Sequence, residues 1–154
     1  MLEDFILISS AILVLIVIWR GLDWAQFARA YLLFFGVRAV LNTIISNFLV
    51  SLNYLEFPYR FLPHLTANNL IYDGFLLPGF TLLVLHYAIR LRMLWWGMGV
   101  YVVFLVVQDY FIMKHTELLV LHKWTLYHTA ISGALNYGVN LFLFRWFIRW
   151  DRRK

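Results

Sequence analysis

Arg38, Asn42, Asp73, Gln108, Asp109, His128 and Asn136 stand inside stretches that are otherwise aliphatic and aromatic. Arg38, Asn42 and Ser46 recur every four residues, as do His128, Ser132, Asn136 and Asn140. On a helix, that spacing puts each set on one face. Arg38 falls near the middle of its apolar run, where an arginine costs about 2.5–3.5 kcal/mol on membrane-insertion scales unless paired or hydrated. Asp73 and Asp109 are its expected counter-charges, within reach of a side chain that snorkels along its own stem. Intramembrane ionisable groups face a bundle interior or a water-filled cavity. The seven residues are therefore expected to converge on an interior polar site, and replacing Arg38 by Leu is expected to impair folding or activity. The competing expectation is structural, because amides and hydroxyls also tie membrane helices together at roughly 0.6–2 kcal/mol apiece.

Two further features bear on chemistry. In LIYDGFLLPG, Pro78 has no N–H for the carbonyl of Gly74, which predicts a kink beside Asp73. Broken helices can present carbonyls to ions or substrates, although proline and glycine are also ordinary in membrane helices. His64, His115, His122 and His128 gather toward one end with Glu117, but no recognised metal-ligand spacing joins them, so no metal or other cofactor is expected. The segment KHTELLVLHK is expected to rest its leucines in a membrane interface.

These residues need elements to hold them, and composition says which. Of 154 residues, 63% are hydrophobic, 19% aromatic and 14% charged, against roughly 45–50% apolar and 25% charged in soluble domains. The class implied is all-α: an integral membrane bundle of five transmembrane helices forming one domain over residues 1–154. The spans are predicted at about Phe5–Trp19, Phe27–Val50, Asn69–Leu91, Met93–Met113 and Trp124–Phe147, at about 20 residues per crossing. The first is read as an uncleaved helix, since Glu3 and Asp4 precede it where a secretory signal carries positive charge. Cysteine is absent, which removes disulfides and thiolate metal sites.

With the N-terminus outside and the C-terminus cytoplasmic, the inner side receives Arg20, Arg29, Arg90, Arg92, Arg145, Arg149, Arg152, Arg153 and Lys154, and the outer side Arg60, Lys114 and Lys123. The net charge of +5 then reflects anchoring to anionic headgroups rather than nucleic-acid binding. The cell membrane is the expected location and membrane lipids are the expected partners, with a membrane protein or a second copy of the chain as further candidates. The outer connection NYLEFPYRFLPHLTAN is irregular because Pro58 and Pro63 break it. It is also too aromatic for a solvated loop, which predicts an interfacial hairpin with Arg60 on headgroup phosphate.

The order YLEFPYRFLP, LIYDGFLLPG, KHTELLVLHKWTLYHT resembles an uncharacterised family of small multi-spanning membrane proteins of Bacillus and Clostridium relatives. The resemblance covers about the C-terminal two thirds. It is carried by Tyr54 or Phe57, Pro58, Arg60, Pro63, Asp73, Pro78, Thr116, Leu118 and Trp124. The chain departs from that pattern at Gln108 and Asp109, where the family carries Glu, and at Leu126, where it carries an aromatic residue. The resemblance implies fold and membrane location and no activity.

Three function classes follow. The first is a non-catalytic lipid-binding or accessory subunit whose polar site opens to the outer face. It fits a chain without nucleophile elbow, HExxH motif or phosphate-binding loop. The second is an oligomeric channel or transporter, although no internal repeat supports it. The third is a membrane-embedded lipid-modifying enzyme, with His128 as general acid or base oriented by Asp73 or Asp109.

Overall fold

The computed structural model describes residues 2–59, 69, 71–116 and 118–151. Arg60, Pro63, His64, Glu117, Arg152, Arg153 and Lys154, all named in the expectations above, lie outside the described residues. Five helices make up the all-α fold: α1 (Leu2–Gly21), α2 (Trp24–Ser51), α3 (Leu77–Arg90), α4 (Leu94–His115) and α5 (Leu126–Asp151). Three helical runs are long and apolar enough to cross a membrane: Trp24–Ser51, Tyr72–Arg90 and Leu94–His115. A shorter apolar helix covers Ile8–Gly21. Inside α2, Phe27 is non-helical (φ −131°, ψ 22°), so the unbroken helix starts where the apolar periodicity placed it.

Pro78 does more than bend its helix. A π turn, Tyr72–Leu76, precedes α3, and the N–H of Leu77 donates to the carbonyl of Tyr72, five residues back. The carbonyl of Asp73 thereby loses the Leu77 N–H that an α-helix would supply. The residue one further on is Pro78, which has no N–H to offer. The widened turn thus takes the Leu77 N–H from the Asp73 carbonyl, one residue before the Gly74 carbonyl that the sequence singled out.

α3 is the central helix, packed against all four others. Its Leu82 and Leu85 join Tyr31, Phe34, Tyr101 and Phe144 in the main core. A second cluster of Leu55, Phe57, Tyr72, Leu76, Leu118 and Leu119 closes one end, which we term the latch end. There β1 (Leu55–Glu56) pairs antiparallel with β2 (Val120–Leu121), Leu55 opposite Leu121. The carbonyl of Tyr54 accepts the N–H groups of His122, Lys123 and Trp124 at 3.0–3.2 Å. The leucines of the α4–α5 connection therefore turn into the bundle rather than lying in an interface, because this ladder gives their backbone partners away from water. Pro58 is exposed on the rim of the latch.

Outward faces are apolar. Val40, Ile44, Phe48, Val100, Val103, Val107, Leu135 and Phe142 are all exposed, the reverse of a soluble bundle. At the opposite end, α3 stops in a Schellman turn. Arg92 N–H donates to Ile89 O and Met93 N–H to Ala88 O, with Arg92 at φ 57°. Asn53 takes the same place after α2, at φ 56°. Asparagine tolerates this left-handed backbone, whereas for most residues it costs roughly 1–2 kcal/mol.

Candidate functional site: a polar seam inside the bundle

α2 and α5 run antiparallel in steady register. Phe34 packs on Phe144 with ring centroids 5.2 Å apart, and Tyr54, just past α2, meets Trp124, just before α5, at 6.2 Å. Twenty residues along one helix match twenty along the other. The same register puts Arg38 level with Asn140, Asn42 with Asn136, and Ser46 with Ser132. The two polar stripes legible in the sequence thus run at matching levels on packed helices, and Arg38, Asn42 and Asn140 are buried while Ser46, Ser132 and Asn136 are half-buried.

Arg38 is 3% exposed. Among the described residues no ion pair joins it to Asp73 or Asp109, and its Nε is buried with no hydrogen-bond partner. The expected pairing is not formed among the described residues, and the Asp109 carboxylate is instead held by two hydroxyls. Asp73 is 3% exposed, and its backbone oxygen accepts Asn42 Nδ2–H at 3.1 Å. That bond fills the vacancy Pro78 creates, so the amide on α2 replaces the N–H missing from the helix. Level with Arg38, Asn140 Nδ2–H donates to Asn136 Oδ1 at 2.7 Å.

Asp109 is the hub of a second network. Tyr72 O–H donates to its Oδ1 and Thr129 O–H to its Oδ2, each at 2.9 Å, and Trp124 Nε1–H donates to Thr129 Oγ1 at 2.9 Å. Both carboxylate oxygens are thus satisfied inside the bundle, and the π turn, α4 and α5 are joined through one residue. Tyr72 and Thr129 were not singled out from the sequence, and Trp124 was singled out only as part of the family resemblance. The available signal was Tyr72 beside Asp73 and Thr129 one helical step from Ser132.

Two expected members stand apart. His128 is exposed, and its Nδ1 accepts the N–H of Thr125 at 3.3 Å and lies 2.8 Å from Thr125 Oγ1. It occupies the first turn of α5, where free backbone groups draw the ring outward. Gln108 is half-buried with an unpartnered Oε1 and lines a groove toward α1, on a different face of α4 from Asp109. The structure thus brings Arg38, Asn42, Asp73 and Asn136 to one seam and Asp109 to a neighbouring network. Of the remaining histidines, His122 pairs with Glu56 at 3.2 Å on the surface of the latch. His115 lies tilted against Phe111, ring centroids 4.5 Å apart. His86, near the far end of α3, bonds Tyr31 through Nδ1 at 2.9 Å.

No family model, curated protein or solved structure matches the chain. Its chemistry is therefore read from its own residues.

Proposed function

We propose that the chain is a five-span protein of the cell membrane, its N-terminus and latch end outside and its C-terminus cytoplasmic. In this reading it works as a non-catalytic binding module, a lipid-binding or accessory subunit, whose polar seam receives an acceptor-bearing group from the outer side. The observation that carries this reading is the buried Arg38 side chain, whose Nε has no hydrogen-bond partner and which no ion pair engages among the described residues. A guanidinium is all donor, so a group that completes it must bring acceptor oxygens or negative charge. The apolar outer faces support the membrane setting, and the spread of arginine at the end opposite the latch supports the orientation. A lipid-modifying enzyme draws less support, since His128 is turned outward and Asp109 is held by two hydroxyls.

Arg38→Leu tests it. Removing one partner of a buried ion pair costs about 3–5 kcal/mol, whereas an unpaired buried arginine is itself a burden of about 2.5–3.5 kcal/mol. The variant is expected to insert, to resist thermal unfolding in detergent at least as well as the parent, and to lose polar molecules that the parent retains in native mass spectrometry. A strongly destabilised variant that keeps the parent's retained molecules would show a purely structural arginine.

A further inference from the structure

A groove of about 1060 Å³ runs between α1 and α4, floored by α3. It opens because α1 packs chiefly on α3 and the π turn. Leu13 and Val17 form one wall, Val100 and Val103 the other, and Phe80 and Leu83 the floor. From Trp96 to Ile112 it follows α4 for about 24 Å at 1.5 Å per residue, most of a hydrocarbon layer about 30 Å thick.

Away from the latch, the stripes on α1 and α3 reach an arginine by helical spacing, and the turn that leads into α4 carries a third. On α1, Val17 is followed by Arg20; on α3, Leu83 by Tyr87 and then Arg90; in the turn before α4, Trp96 is preceded by Arg92. All three arginines are exposed. Tyr87 O–H donates to the Gly21 carbonyl at 3.1 Å and holds the ends of α1 and α3 together at this mouth. Arg92 also occupies the left-handed position of the Schellman turn, where glycine would be free of strain. A cation kept at a backbone position that disfavours it points to a use for the cation.

We propose that this groove holds an acyl chain of an anionic phospholipid, with the phosphate on Arg20, Arg90 and Arg92. The proposal rests on the membrane reading above and concerns the mouth opposite the polar seam. An apolar slot alone takes any acyl chain, and arginines alone hold any anionic surface. Together they select a lipid with both features.

The test uses the full chain reconstituted in phosphatidylcholine vesicles with and without phosphatidylglycerol, extracted gently and weighed by native mass spectrometry. Arg92→Gly removes one charge while relieving the turn. Gly99→Leu plugs the slot, since a Cβ there meets nothing within 4 Å. The parent is expected to retain phosphatidylglycerol over phosphatidylcholine. Arg92→Gly should weaken phosphatidylglycerol retention about fivefold and leave phosphatidylcholine unchanged, whereas Gly99→Leu should reduce both. Equal retention of the two lipids by the parent, or parental retention by both variants, overturns the site. Release of the chain from vesicles by alkaline carbonate would instead overturn the membrane reading.

Discussion

Asp109 joins two hydroxyls from different elements inside the bundle, and the consequence of losing it is specific. Asp109→Ala strands the hydroxyls of Tyr72 and Thr129 in an apolar layer, at about 1–3 kcal/mol for each donor left unpaired. Asp109→Asn keeps one acceptor oxygen and should fall between Ala and the parent. Thermal unfolding in detergent measures the order, and Trp124 fluorescence should shift in both variants, because its indole N–H reaches Asp109 through Thr129. At this scale the sequence was legible for residue type and blind to partner. An aspartate inside an apolar run announces that something must satisfy it, but Tyr72 and Thr129 lie 37 and 20 residues away on other elements. Arg38 shows the same limit: its burial followed from its position, and the lack of an ion pair among the described residues did not.

The coupling between α2 and the π turn belongs to the scale of elements. If Asn42 replaces an N–H that Pro78 denies to Asp73, the two residues cannot be independent. Asn42→Ala alone should destabilise by about 1–3 kcal/mol. In a Pro78→Ala background, which restores a backbone donor, the same change should cost measurably less, giving a coupling of about 0.5–3 kcal/mol in a double-mutant cycle. Additive effects would separate them. The helices themselves were readable because twenty-residue apolar runs punctuated by charge leave few alternatives. The π turn was not readable: the proline predicted a disturbance, but whether the backbone bends or widens depends on a neighbour able to fill the orphaned carbonyl. The two-residue ladder of the latch escaped notice for a related reason. Its strands are too short to carry a period, and only the approach of two connections 66 residues apart, as in the Glu56–His122 pair, creates it.

For the whole molecule, the five-span arrangement proposed above would set the chain ends on opposite sides, and the absence of cysteine makes that directly measurable. A membrane-impermeant maleimide should label Asn53→Cys and Lys123→Cys in intact cells and leave Arg92→Cys untouched until the cells are opened. The inverse pattern would turn the bundle over, and labelling of all three from outside would deny the spans. Both polar stripes and the charge asymmetry were legible at this scale, whereas the matching levels of the stripes depended on the aromatic pairs at Phe34 and Tyr54, which carry no signal of their partners in sequence.

That register has a dynamic corollary. Sliding α5 by one turn along α2 would bring the Arg38 guanidinium opposite the ring of Phe144 and pull Tyr54 away from its three donors, so shear along this pair is blocked at both ends. α1 is tied to α3 differently, by the Tyr87 hydroxyl on the Gly21 carbonyl at one end. It seats on α3 at Gly79, where a single methyl would come within 2.8 Å of Val14 and Ile18. The first helix therefore lies against the central one at a distance that a side chain at position 79 would force apart, and Gly79→Ala should loosen that seat.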